Sequence, residues 1–265
     1  SAEAAKVKPK AKSQSTSGGS REEKNVLCGQ PPTGPAWDVA LPTKWVVFSD
    51  LHMSRKTCEV CLQVLETVHR EAVARDAGVL FLGDFWHVRG NLPVEPLNKA
   101  IAALSQWTQP MLMLPGNHDQ VDMGGEVHSL QPLEAVNPRF HVFSQPTLFG
   151  RALWVPYRRD DQDVRAAIAH ALQRQAAELA SLAAVFAHVD VVGAQVNETF
   201  QSFRGLDAAS FPADIATYTG HYHRPHTVEG TNITYVGSPY QVGWGEAGQV
   251  KQLLVLGEEW EVLEK

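Results

Sequence analysis

No uninterrupted apolar run in this chain approaches the roughly 18 residues that a membrane span needs. Nothing in it reads as a secretory signal, so the expectation is a soluble, intracellular protein with no membrane role. Cysteine is scarce: Cys28, Cys58 and Cys61 form no even-numbered framework, which excludes a disulfide scaffold and points to a reducing compartment. Cys58 and Cys61 have the spacing of half a zinc knuckle or a thioredoxin-type pair. They lack a second Cys/His pair, however, and open a helical pattern in which i and i+3 share a face, so they read as helix thiols. Basic charge is lacking too. The formal charge is −6; residues 1–24 carry a net +3, which leaves −9 on the rest. A protein that coats nucleic acid by charge alone is excluded. Phosphate chemistry at bound cations is not, because divalent ions supply positive charge where the phosphate must approach.

Residues 1–34 are rich in Ala, Lys, Ser and Gly and nearly devoid of aromatic and β-branched side chains. They are predicted to be a disordered basic segment. Their composition would also suit the remnant of a transit region for a chloroplast or mitochondrion, although acidic residues weaken that reading. Order is predicted from near Trp37, with 35–265 forming one domain. Strands are expected at 44–49, 79–82 and 111–114, alternating with helices from Thr57 to Arg75 and from Pro93 to about Trp107. That alternation favours parallel strands joined by right-handed crossovers. A short helix at 129–136, a strand at 140–143 and a hairpin around Gly150-Arg151 follow. Next come a long Ala-rich helix from Asp160 to Leu182 and a strand at 184–187. Strands at 215–219, 232–236, 252–256 and 260–263 close the chain. Parallel units first and antiparallel strands later imply two sheets. The predicted fold is α/β: a four-layer α/β/β/α sandwich of two mixed sheets with helices outside.

Five apolar runs end abruptly in Asp, Asn or His. They deliver Asp50-Leu51-His52, Gly83-Asp84, Gly116-Asn117-His118-Asp119, His188 and Gly220-His221-Tyr222-His223. Each has a plain explanation by itself: Asp50 as a helix cap, Asp84 and Gly116-Asn117 as turn residues, His188 as a satisfied core histidine. Together they supply what two divalent cations ~3.5–4 Å apart require, about four O or N ligands each from separate parts of the chain. The D-x-H and H-x-H spacings would put two side chains on one side of an extended segment. His128, His141, His170 and His226 match no such pattern and are expected to be structural or superficial. Trp86 and Trp244 could stack a nucleobase, but core packing is the expected role of both.

In this order the five motifs resemble the calcineurin-like metallophosphoesterase superfamily, over about residues 44–256. The resemblance implies that Asp50, His52 and His223 hold one metal, that Asn117, His188 and His221 hold the other, and that Asp84 bridges them. It also implies that His118 is a non-ligand histidine acting on the phosphate, with Asp119 orienting it. Asp119 and the spacing of Arg89 depart from the phosphoprotein phosphatases. His87, three residues after Asp84, and the stretch 235–248 are instead similar to the SbcD-type and double-strand-break-repair nucleases, including SbcD-like phosphoesterases of green plants and algae. That branch implies two metal ions, Mn2+ first and Fe, Zn or Mg as alternatives. It implies a nucleic-acid or nucleotide substrate, with His87 placing the phosphate. Nucleases of the branch continue into a DNA-capping domain and a segment that grips an SMC-like ATPase. This sequence ends after 260–263, which puts both DNA selectivity and the ATPase partner in doubt. Two rival readings stand beside the nuclease: a phosphoesterase for a small nucleotide, and a metal-supported scaffold without activity.

Overall fold

In the computed structural model, residues 26–178 and 181–265 are described. Strands β1 (Trp45–Phe48), β2 (Gly78–Phe81), β3 (Met111–Met113) and β4 (Phe140–Val142) run parallel as neighbours in one sheet. Helices α1 (Cys58–Arg75) and α2 (Val94–Leu104) make the first two crossovers, and the short α3 (Gln131–Glu134) lies in the third. The second sheet has β5 (Thr147–Phe149), β6 (Ala152–Val155), β7 (Ala184–His188), β8 (Ala216–Gly220), β9 (His226–Thr227) and β10 (Ile233–Tyr235). Helix α4 (Asp161–Glu178) links β6 to β7. The last strands, β11 (Leu254–Leu256) and β12 (Val262–Glu264), return to the first sheet beside β1. Among the described residues no helix is long and apolar enough to cross a membrane.

Every central strand obeys the period of two, and this builds the four layers. In β1, Val46 and Phe48 face the core under α1 and α2, whereas Trp45 and Val47 face the second sheet. In β2 and β3, Val79, Phe81, Met111 and Met113 point outward, with Leu80 and Leu112 inward. The second sheet mirrors this, with Leu153, Val155, Val185 and Ala187 under α4 and Trp154 and Phe186 between the sheets. Strands apolar on both faces are what two covering layers require. The α/β/β/α sandwich of two mixed sheets is therefore the observed fold.

Three expectations need correction. The later strands are not mainly antiparallel: β6, β7, β8 and β10 run parallel to one another, and the antiparallel pairings among the described residues are β5 with β6, β9 with β10, and β11 with β1 and β12. The reason is that β7 and β8 are joined by a long crossover, residues 189–215, whose only helix is the 3-10 turn Ala208–Ser210. Its lack of an α-helical pattern hid the connection. Trp260 belongs to no strand; it sits at φ 64° in the turn before β12 and plugs the space between the sheets against Trp45, Trp154 and Phe186.

Finally, the disordered segment predicted for 1–34 is too long. Residues 1–25 lie outside the described residues, but 26–34 pack on the molecule. Leu27 joins the core under α4, Pro32 is buried, and the Gln30 carbonyl meets His141 Nε2 at 3.1 Å. Gly29 donates its N–H to the Pro146 carbonyl, and a Cβ there would lie 1.8 Å from Thr147 Oγ1. Low hydrophobicity concealed a strap that depends on small residues and backbone bonds. Removing residues 1–34 should cost about 1–2 kcal/mol relative to removing 1–25. That corresponds to a melting point lower by roughly 2–8 °C. Equal melting points of the two truncations would show that the strap contributes nothing.

Candidate metal centre

The C-terminal ends of β1, β2, β3, β7 and β8 meet at one rim of the sandwich and bring all seven predicted ligands together. They form two overlapping lobes. In one, ligand atoms of Asp50, His52 and His223 lie within 4.8 Å of one another; in the other, those of Asp84, His188 and His221 do. Asp84 stands between them, with Oδ2 3.7 Å from His52 Nε2 and Oδ1 3.6 Å from His188 Nε2. Asn117 Oδ1 faces His188 Nε2 at 3.1 Å and His221 Nδ1 at 2.9 Å.

How the residues reach this rim differs from the sequence reading. Asp50, His52, Asp84 and His221 all have positive φ, at 53°, 49°, 62° and 95°. The D-x-H segment is therefore not extended, and its side chains converge because the chain coils in the left-handed region. Such backbone costs of order 1–3 kcal/mol per residue and persists only where the surroundings fix it. Here they do. Asp50 and His52 donate their N–H groups to the carbonyls of Gly83 and Asp84 at 2.8 and 3.0 Å, and Met53 donates to Phe85 at 2.7 Å. Two glycines admit this crowding. A Cβ on Gly116 would fall 2.2 Å from Asp84 Oδ1, and one on Gly220 would fall 2.1 Å from Ser49 Oγ and 2.8 Å from His188 Nδ1.

The hydrogen bonds fix which imidazole nitrogen faces the centre. Carbonyl and carboxylate oxygens only accept, so the nitrogen bonded to one must donate. His188 Nδ1 donates to the Leu82 carbonyl at 2.6 Å, His221 Nε2 to Asp190 at 3.0 Å, and His223 Nδ1 to Glu246 at 2.7 Å. The inward nitrogens of these rings then carry lone pairs, and they point at one another, at Asn117 Oδ1 and at Asp84. His223 Nε2 meets His52 Nε2 at 2.9 Å, and the other nitrogen of His52 is buried without a partner. A proton on His52 Nε2 satisfies that pair, but the lone pairs that His188 and His221 turn toward Asn117 Oδ1 and Asp84 need positive charge between them. Turning the Asn117 amide over would satisfy the rings with N–H donors and hand its oxygen to Arg89 at 3.1 Å. A cation favours the orientation with oxygen inward.

The ionisation of the cluster states the same demand. Burial alone would depress His188, but the neighbouring Asp84 carboxylate outweighs it and lifts the ring to about 9. Burial would raise Asp84, yet His188, His52 and His118 together hold it below the usual carboxylate range. His52, where burial dominates, falls to about 4 and stays neutral. An O/N donor set of carboxylate, amide and imidazole suits first-row divalent ions. The residues present fit a pair of them.

Several functional side chains carried no signal in the sequence. Asp190 and Glu246 orient His221 and His223, the arrangement in which an outer carboxylate fixes a metal-binding imidazole. Lys251 anchors Glu246 Oε2 at 2.6 Å. Each lies far along the chain from its partner or in a segment without periodic pattern. The other histidines are mostly structural as expected: His128 bonds Ser144 at 2.6 Å, and His226 stacks on Tyr235 while accepting from the Gln195 N–H at 2.8 Å. Trp86 is core, donating to the Ser129 carbonyl at 3.2 Å, but Trp244 is 98% exposed, which corrects its expected packing role.

His87 and His118 also come to the rim. Their rings stack at 5.9 Å, and both stand edge-on to His52. The predicted orienting of His118 by Asp119 is not what the structure contains: His118 Nδ1 donates to the His87 carbonyl at 2.7 Å. Asp119 is wholly buried and accepts instead from the backbone N–H groups of Asp84, Phe85, Trp86 and Gly116, at 2.8–3.2 Å. Burial and the Asp84 charge push it up to about 7, against the pull of the Gly116 and Trp86 N–H groups. It is a knot that ties the loops after β2 and β3 together. Asp119→Ala should leave these four donors buried and unpaired, at a cost of roughly 3–5 kcal/mol, measured by urea unfolding. A loss below about 1 kcal/mol would show that the loops hold without it.

Comparison with known proteins accords with this geometry. The calcineurin-like phosphoesterase family matches residues 43–225, from β1 to just beyond His223. Among solved structures, Pseudomonas putida nuclease MPE is 14% identical, with 83% of this chain and 87% of that one covered and a TM-score of 0.39. A second structure is 12% identical over 84% of this chain and 98% of its own, with a TM-score of 0.51, a likeness of fold. No curated protein matches the chain in sequence. With the family match spanning all five motifs and most of both sheets, the chain belongs to the calcineurin-like phosphoesterase family, whose members are metal-dependent hydrolases of phosphate esters.

Proposed function

We propose that this chain hydrolyses nucleic-acid phosphodiester bonds, with Asp50, His52 and His223 holding one divalent cation, Asn117, His188 and His221 the other, and Asp84 shared between them. Mn2+ is the first choice of metal. The observation that carries the diester reading is the stacked pair of His87 and His118, set against the His52 lobe and free of the two outer carboxylates. Cations in the two lobes would supply Lewis-acid polarisation of the phosphoryl group and acidify the attacking water. The protein's own residues do the rest. The His87 carbonyl takes the Nδ1–H of His118 and leaves Nε2 facing the centre, where the doubly protonated ring would give its Nε2 proton to the departing oxygen and return to the neutral tautomer. The exposed His87 ring positions a phosphate oxygen beside it. Asp190 and Glu246 keep the His221 and His223 rings aimed inward.

A second reading, a phosphoesterase for a single nucleotide, draws on a groove of about 310 Å³ beside His221 and His223, at the lower limit for a small-molecule site.

A panel of single- and double-stranded DNA, RNA, a bis-ester chromogen and a phosphopeptide, each with Mn2+, separates these readings. Cleavage of the nucleic acids and the chromogen, abolished by EDTA and restored by Mn2+, is expected. Hydrolysis of the phosphopeptide alone would overturn the diester reading, and activity indifferent to EDTA would overturn the metal assignment. His118→Ala should lower turnover by roughly 10²–10⁴-fold while retaining both metal equivalents by elemental analysis. Because His118 lies close enough to His52 and Asp84 to join them at a cation, loss of one equivalent would identify it as a ligand instead.

A further inference from the structure

We propose that the groove beside the metal centre binds the bases of single-stranded nucleic acid, with Trp244 as its stacking face; this deepens the nucleic-acid reading above and rests on it. The groove is lined by His221, His223 and Arg224, by Asn197, and by Gly243 and Gly245. Trp244 lies between those two glycines in the chain and, without lining the groove as it stands, has 98% of its surface exposed, whereas Trp45, Trp86, Trp107, Trp154 and Trp260 are buried. A fully solvated indole has no role in the fold, and an aromatic exposed at a functional rim marks a contact surface.

The turn that carries the ring is held in place. Trp244, Gly245 and Glu246 form one 3-10 turn, and the glutamate at its end is tied down on every side. Glu246 accepts from His223 Nδ1 at 2.7 Å, from Lys251 Nζ at 2.6 Å and from the Val242 N–H at 3.1 Å. The turn that orients His223 is therefore the turn that displays the indole, which keeps the backbone of Trp244 beside the centre. Across the groove, the loop that supplies Asn197 is folded back on itself, Val196 donating its N–H to the Phe200 carbonyl at 2.9 Å. It bears a second exposed aromatic pair, Phe200 and Phe203, edge to face at 5.6 Å and 49% and 79% exposed.

Aromatic faces stack on any base, so such a site tracks nucleic acid without reading sequence. Duplex bases present only their edges, because their faces are covered by neighbouring pairs. A strand whose phosphate enters the centre would lay an adjacent base along the groove towards Trp244, with the half-buried Arg224 offering a cation to the backbone.

The test uses the full chain loaded with Mn2+ and stopped-flow tryptophan fluorescence, read before hydrolysis. The probes are an oligothymidylate and an abasic deoxyribose-phosphate oligomer of equal length. The oligothymidylate is expected to quench the wild type and to bind about tenfold more tightly than the abasic oligomer. Trp244→Ala should lose both the quenching and that preference, and Trp244→Phe should regain most of the preference. Equal binding of the two oligomers by the wild type, or an unchanged preference in Trp244→Ala, would overturn the stacking site. If the oligothymidylate is hydrolysed while Trp244→Ala binds as the wild type does, the stacking site falls and the nuclease reading stands. Quenching that depends on Trp244 in a protein unable to cleave the oligomer would support the site and remove the nuclease reading.

Discussion

The fully buried Asp84 carboxylate is the constraint on which the rim of this protein depends. A carboxylate at the seam of two sheets must meet positive charge or hydrogen-bond donors, and here it turns one oxygen toward each lobe. The neighbouring imidazoles are oriented so that they cannot satisfy it with neutral N–H groups, because their donors are spent on Leu82, Asp190 and Glu246. The His118 backbone N–H, 2.8 Å from Oδ1, is a partial answer. The remainder is a standing requirement for protons or cations. The raised His188 is the form that requirement takes with protons, and paired divalent ions are its form in the family.

Rigidity follows from the same seam. Asp50, His52, Asp84 and His221 occupy left-handed backbone, which a loose loop would relax. The loops after β1 and β2 are zipped together by backbone bonds, including a parallel bridge between Met53 and Trp86, and Asp119 binds three consecutive N–H groups of the second loop. The close inter-sheet core, with Trp154 stacked on Phe186 at 4.5 Å, keeps the strand ends in register. Packing at the far side of the sandwich thus sets the placement of the metal centre at its rim.

What the sequence disclosed follows from range. Local periodicity in Val46–Phe48, Val79–Phe81 and Met111–Met113 reports two-sided burial, so the layers were legible, as were the apolar runs that end in chemistry. The D-x-H geometry was misread because alternation assumes an extended backbone, and left-handed Asp50 and His52 leave no mark in residue order. Glu246 and Asp190 orient rings 23 and 31 residues away, through contacts that no local pattern encodes. Trp86 and Trp244 share a residue type; only tertiary placement distinguishes a core indole from a solvated one.

The two lobes differ in their inward groups, Asp50 in one and Asn117 in the other, and also in what stands behind their rings. Glu246, behind His223, is itself neutralised: burial would raise it, but His223 and Lys251 bring it to about 2, and the Lys251 ammonium also donates to the His223 carbonyl at 2.8 Å. Asp190, behind His221, is held below its usual range against burial by His221 and the Tyr222 hydroxyl, neither of which is a fixed cation. More negative charge is therefore passed through the His221 ring than through the His223 ring, and ring basicity follows outer-shell charge. That outer charge favours the His221 ring, whereas among the inward groups Asp50 brings a carboxylate to the His223 lobe and Asn117 only a neutral amide to the other. The difference behind the rings is written in residues outside the five motifs, which is why the motifs alone do not disclose it.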